Sequence, residues 1–130
     1  MMEKANILIV EDDSMLCTVF EMFIDELGYG LSGTVASGEA ALKLIENKMP
    51  DLILMDIHLE GEMDGIETAK IVLEKYNIPI IYISGDNDVN TVKRAVLKNT
   101  FGFMTKPVYK NGLELNIEFA LYKHELLKKG

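Results

Sequence analysis

Four short apolar runs in this chain end in residues that could do chemistry. Glu11-Asp12-Asp13 follow Ile7-Leu8-Ile9-Val10, Asp56 follows Leu52-Ile53-Leu54-Met55, Ser84-Gly85 follow Ile80-Ile81-Tyr82-Ile83, and Lys106-Pro107 follow the run from Phe101 to Thr105. Carboxylates gathered at close range repel one another, so at neutral pH they must hold a cation or give up full ionisation. Mg2+ suits such a set because it takes oxygen ligands, keeps several waters and bridges to phosphate. Mn2+ accepts the same oxygen donors. Lys106 could neutralise a non-bridging phosphoryl oxygen, and Ser84 could donate a hydrogen bond to another. The nucleophile for that chemistry is Asp56, since a carboxylate can attack phosphorus to give an aspartyl-phosphate.

The elements that would bring these residues together are legible in the hydropathy pattern. Apolar, β-branched runs at Ala5 to Val10, Leu31 to Val35, Asp51 to Asp56, Ile78 to Ser84 and Phe101 to Thr105 alternate with longer amphipathic stretches, the signature of a parallel α/β sheet. Three of the runs are almost continuously apolar, as expected of strands covered by helices on both faces, whereas Leu31 to Val35 is weaker and reads as an edge strand. Leu16, Val19, Phe20, Phe23, Ile24 and Leu27 keep helical spacing, with Ser14 or Asp13 as the cap and Gly28 as the stop. Ser37 opens a second helix and Asp64 a third that ends near Tyr76. A fourth helix is predicted from Val89 to Lys98 with Val92 and Val96 on one stripe, and a fifth from Asn111 to Lys128. In an open parallel sheet ligands bind beyond the carboxyl ends of the strands, where the four sets of residues converge.

Composition limits the remaining choices. A chain of 130 residues with 48% hydrophobic content carries the material for one packed domain, taken as residues 1–130 with a core at about 5–127. Thirteen basic against 21 acidic residues leave a net charge of −8, which repels phosphate backbones and anionic lipid and argues against direct nucleic-acid or membrane binding. The single cysteine, Cys17, has no partner for an internal disulfide and reads as a buried helix position, which fits a reducing compartment. No apolar run approaches the roughly 18 residues of a membrane span, and Met1 to Asn6 lack the order of a secretion signal, so a cytoplasmic location is expected.

Taken together, Glu11-Asp12, Asp56, Ser84 and Lys106-Pro107 on a five-fold βα alternation resemble the receiver domain of two-component response regulators over nearly the whole chain. The resemblance implies a flavodoxin-like, doubly wound (βα)5 fold with strand order 2-1-3-4-5. It implies that Asp56 accepts a phosphoryl group from a sensor histidine kinase or phosphotransfer domain. Asp12 and Asp56 would bind Mg2+ or Mn2+ directly, Glu11 through water, and the backbone carbonyl of His58 would add a ligand. Lys106 would contact the phosphoryl group, Lys106-Pro107 would be a cis peptide, and Ser84 and Phe103 would form the switch. Such a domain is not an enzyme in the ordinary sense: it catalyses only its own phosphorylation and dephosphorylation. His58 and Asp86, each two residues past a site residue, would tune the lifetime of the phosphorylated state.

The chain departs from the common pattern in three places. The loop from Asp56 to Gly65 is longer by one residue than in the chemotaxis type and lacks its proline, Ser84 stands for a commoner threonine, and Phe103 for a frequent tyrosine. A Phe103 switch would act by burial alone. In the last helix, Leu113, Ile117, Ala120 and Leu121 form a core stripe, while Leu115, Phe119, Tyr122 and Leu126 form a second one on the opposite side. That second stripe is expected to be a partner surface, for a homodimer or an output module, built with the fourth helix and fifth strand. Two other classes fit these residues less well. A haloacid-dehalogenase-type phosphohydrolase would want a second Asp where His58 stands, and a dinucleotide protein would want a glycine-rich loop that no strand here precedes.

Overall fold

The computed structural model describes residues 4–85 and 88–129. Five strands, β1 (Asn6–Val10), β2 (Gly30–Val35), β3 (Leu52–Asp56), β4 (Ile80–Ser84) and β5 (Thr100–Thr105), alternate with α1 (Ser14–Glu26), α2 (Gly38–Asn47), α3 (Gly65–Lys75), α4 (Val89–Ala95) and α5 (Lys110–Lys129). All strand pairs are parallel and the order is β2-β1-β3-β4-β5, the doubly wound topology. The weak second run is an edge strand, as its composition suggests.

Alternation along the inner strands divides the core in two. Leu8, Val10, Ile53, Met55, Ile80 and Tyr82 face Ala41, Ile45, Ile66, Ala69, Val72 and Ala95 on one side of the sheet. Ile7, Ile9, Leu52, Leu54, Ile81 and Ile83 face Phe20, Ile24, Leu113, Ile117 and Ala120 on the other. Every residue of β3 and β4 is buried, so both faces are covered and the backbone ends of these strands are held rigidly.

Helix starts follow from short polar side chains. Asp13 caps α1 by accepting from the Met15 and Leu16 N–H groups, and Ser37 caps α2 through Ala40 N–H. Asp64 forms a capping box with Glu67, the Asp64 carboxylate accepting from Glu67 N–H and the Glu67 carboxylate from Asp64 N–H. The other Asp64 oxygen pairs with Arg94 of α4 at 3.0 Å. After α1, Gly28 turns the chain at a φ of +85°, a conformation glycine adopts without strain. Gly65, first residue of α3, lies flat on β3: an added Cβ would sit 2.1 Å from the Asp56 carbonyl oxygen, so only glycine lets α3 start there.

Three local expectations need correction. The fourth helix stops at Ala95 instead of reaching Lys98, and its buried residues are Thr91 and Ala95 instead of Val92 and Val96, both of which are exposed. The cause comes from a later strand: the Thr100 hydroxyl donates to the Ala95 carbonyl and accepts from Leu97 N–H, which closes the helix early and turns Val96 outward. Cys17 is half-buried, its thiol donating to the Glu11 carbonyl, and Leu121 is half-buried beside the core stripe it was assigned to.

Candidate functional site

Strand register explains why the acids meet. Val10 pairs with Met55, so Glu11 and Asp12 emerge beside Asp56; Asp56 pairs with Ile83, so Ser84 projects one residue further; Ser84 pairs with Thr105, so Lys106 follows next in line. The junction of β1 and β3 is also where the chain reverses its direction of winding, the usual binding crevice of this topology.

Glu11, Asp12 and Asp56 each offer a carboxylate oxygen within 4.8 Å of the others. Glu11 and Asp56 are almost fully buried, and Asp12 is half-buried at the rim. Backbone donors hold each in place: Asp13 N–H donates to Glu11 at 3.1 Å, His58 N–H to Asp56 at 3.1 Å, and Glu60 N–H to Asp12 at 3.0 Å. Lys106 places its Nζ 3.4 Å from Glu11 Oε1 and 3.7 Å from Asp56 Oδ2. The peptide between Lys106 and Pro107 is cis, and Lys106 N–H donates to the Ser84 carbonyl at 2.8 Å. Ser84 itself is buried.

One ammonium, paired with two of three clustered carboxylates, leaves the cluster under-compensated. Burial, ahead of any other cause, pushes the Glu11 carboxyl up to about 7; the Asp13 N–H opposes the shift, neighbouring Asp56 adds to it, and Lys106 offsets part of it. Glu11 Oε1 is buried without a hydrogen bond. An all-oxygen donor set that includes a buried oxygen with an ion pair but no hydrogen bond fits a hard divalent cation.

A pH prediction follows from Glu11. The raised value means that the fold favours the neutral carboxyl, so its contribution to stability is complete below the ordinary value of 4.5 and is lost as the pH rises through about 7. In chelator, wild type should lose urea resistance between about pH 5 and about pH 8, and Glu11→Gln should flatten much of that decline, worth about 1 to 3 kcal/mol at the upper end. Parallel slopes for the two proteins would contradict this origin.

The other residues singled out by sequence lie as follows. The His58 side chain is exposed two residues beyond Asp56, and Asp86 falls outside the described residues. Phe103 is half-buried on β5, its ring centroid 6.4 Å from that of Tyr82. Leu115, Phe119, Tyr122 and Leu126 are all exposed. His124, away from the acids, packs edge-on against Phe101.

Sequence reasoning missed two neighbours of the site. Tyr82, part of a strand core by sequence, supplies a phenol whose ring lies beside Phe103, and burial pushes that phenol up to about 12. A hydroxyl-bearing ring within a wholly apolar run was the available signal. The Arg94–Asp64 pair ties α4 to the start of α3, and no local pattern marks it.

This geometry defines a class: a doubly wound α/β domain with a buried carboxylate cluster, one lysine and one hydroxyl at the carboxyl edge of its sheet. Residues 7–118 match the family described as the response regulator receiver domain, and the chain belongs to that family. It is 31% identical over 93% of its length to the heme response regulator HssR of Staphylococcus epidermidis, covering 53% of that protein. It is 32% identical over 92% of its length to the transcriptional regulatory protein AfsQ1 of Streptomyces coelicolor, covering 52% of it. The chain thus spans about half the length of these curated relatives. Among solved structures, the signal receiver domain of a modulated diguanylate cyclase from Desulfovibrio desulfuricans is 37% identical with a TM-score of 0.89, over 95% of this chain and 98% of that one. A CheY-like receiver domain protein from Methanospirillum hungatei is 26% identical with a TM-score of 0.85, over 98% of this chain and 100% of that one. Receiver domains are signalling proteins that work with histidine kinases, and they generally bind Mg2+ through acidic residues of the kind clustered here. Among the described residues no helix is long and apolar enough to cross a membrane.

Proposed function

We propose that this chain is a phosphorylation switch in the cytoplasm that takes a phosphoryl group on Asp56 from a sensor histidine kinase or phosphotransfer domain. The observation that carries the reading is the position of Lys106 Nζ, within 4 Å of both Glu11 and Asp56 in a cluster of three carboxylates. In the transfer, an Asp56 carboxylate oxygen forms the new bond to phosphorus while the bond from phosphorus to the donor histidine nitrogen breaks. The electron pair leaves with that nitrogen, which is then protonated. His58 N–H fixes the rotamer of Asp56 by holding Oδ1, and so leaves Oδ2 on the side of Lys106. Lys106 lies where it can balance charge on a phosphoryl oxygen, and Ser84 stands at the next strand end to donate to another.

Asp12, Asp56 and the His58 backbone carbonyl would hold Mg2+ or Mn2+, with Glu11 behind them. The ion supplies positive charge that relieves the carboxylate repulsion and draws in an anionic phosphodonor. His58 and Asp86 set the lifetime of the acyl phosphate in this reading. Movement of Ser84 and Phe103 carries the change to the face formed by α4, β5 and α5, where a homodimer partner or an output module is addressed.

The test is the intact mass after incubation with acetyl phosphate, with and without Mg2+, followed by peptide mapping. A gain of one phosphoryl group on the peptide that holds Asp56, and only with Mg2+, is expected. No gain from acetyl phosphate or from a phosphorylated histidine phosphotransfer domain would overturn the reading. Repeated turnover of a phosphate monoester would assign the site to a hydrolase instead.

A further inference from the structure

Asp12 is held differently from its two neighbours in the cluster. Glu11 and Asp56 take their backbone donors from two residues along the chain, Asp13 N–H and His58 N–H, so each contact is local to one strand end. Asp12 takes its donor from Glu60, 48 residues away in the loop from Asp56 to Gly65, at 3.0 Å. That bond joins a side chain of one segment to the backbone of another. The orientation of Asp12 and the position of the loop are therefore coupled.

Three consecutive loop residues make the coupling mechanical. His58 N–H holds Asp56, the Leu59 side chain is buried in the core cluster that contains Ile66 and Ala69 of α3, and Glu60 N–H reaches Asp12. No proline stands between Asp56 and Gly65, so every residue of this stretch keeps its N–H. Beyond Glu60 the chain turns at Gly61, whose φ of +108° suits glycine, and it returns so that Gly65 N–H donates to the Ile57 carbonyl at 2.8 Å. The side chains of Glu60 and Glu62 are exposed, so what the loop gives Asp12 is a backbone donor.

Charge sets the direction of the effect. A closed loop carries Glu60 and Glu62 toward three clustered carboxylates, and Glu39 of α2 lies alongside, its Oε2 3.6 Å from where a Cβ on Gly61 would sit. Without metal this like-charge crowding works against closure, and a divalent cation in the cluster removes the penalty. An ionised carboxylate has about four acceptor sites, so Asp12 can accept from Glu60 and still offer oxygen to an ion.

We infer that Glu60, through its backbone N–H, positions Asp12 for the divalent cation, and that the loop from Asp56 to Gly65 closes as the ion binds. The inference rests on the reading that the cluster holds Mg2+ or Mn2+. Glu60 is a positioning residue, acting on the ion through Asp12. An ion that binds the closed arrangement better shifts the loop toward it.

The test is binding of Mg2+ alone, followed through the amide resonances of 15N-labelled protein, so no phosphoryl transfer is involved. Glu60→Ala keeps the N–H and should bind within about threefold of wild type, whereas Glu60→Pro removes it and should bind at least about tenfold more weakly, the usual scale for losing a contact that orients a metal ligand. A second measurement avoids proline. In wild type the Glu60 amide should exchange with solvent more slowly once Mg2+ is added. In metal-free protein Asp12→Ala should speed exchange at Glu60 at least about tenfold, while His58, held by Asp56, keeps its protection. No Mg2+ binding by wild type would overturn the metal reading and this inference with it. Wild-type affinity in Glu60→Pro, equal weakening in Glu60→Ala and Glu60→Pro, or a Glu60 amide whose exchange is unchanged by Mg2+ or by Asp12→Ala would each overturn this inference and leave the metal reading standing.

Discussion

Asp56→Asn should take up no phosphoryl group under conditions that modify wild type fully, and without metal it should be more stable than wild type. Asparagine keeps the shape of the side chain and can still accept from His58 N–H, now 3.1 Å from Asp56 Oδ1, so the loop need not move. The amide offers no anionic oxygen to attack phosphorus, hence the complete loss. Removing one of three clustered carboxylates also removes a neighbour that helps raise Glu11. Relief of that repulsion should add about 1 kcal/mol or more in chelator at neutral pH, read as a higher urea midpoint. Mg2+ should then stabilise wild type more than the variant. Uptake at the wild-type rate by Asp56→Asn would move the acceptor elsewhere.

Lys106→Ala should show the opposite sign in one measurement and the same sign in the other. Its ammonium is the only cation that the described residues place within 4 Å of Glu11 and Asp56. Without it the metal-free cluster has nothing to offset its charge, and stability in chelator should fall by about 1 kcal/mol, partly restored by Mg2+. Phosphoryl uptake should slow by at least about a hundredfold, the usual scale for removing a positioned charge from developing negative oxygens. Intact mass against time, at saturating Mg2+, gives the rate. A Lys106→Ala protein that is phosphorylated at an unchanged rate would leave Lys106 a structural counter-ion only. Two substitutions at one cluster, with opposed effects on metal-free stability and shared loss of uptake, separate the acceptor from its charge partner.

Much of this was legible in the sequence because it depends on local rules. Short, almost continuously apolar runs and amphipathic stretches of period 3.6 set the strand and helix order, and polar residues at Asp13, Ser37 and Asp64 set three helix starts. The clustering of these residues was legible because each stands at, or just beyond, the carboxyl end of a strand, where a parallel sheet must present it. What could not be read depends on residues distant in sequence. Helix α4 is cut short by the hydroxyl of Thr100, five residues beyond its last turn and on another element. Asp12 is anchored by the backbone of Glu60, 48 residues away. Tyr82 meets Phe103 only because β4 and β5 pair in that register. Composition records none of these relations.

The carboxylate of Asp64 serves two masters. One oxygen caps α3 through Glu67 N–H, and the other grips Arg94 of α4. Helix α3 in turn begins at Gly65, pressed on the carbonyl of Asp56 itself. A molecule that seized α4 and drew Arg94 away would alter the electrostatics of the α3 cap, and with it the seat of Asp56. If Asp56 carries a phosphoryl group, linkage would run in both directions: whatever free energy the acyl phosphate lent to a partner on α4, the partner would return to the acyl phosphate. The listener would therefore help to decide how long the message lasts.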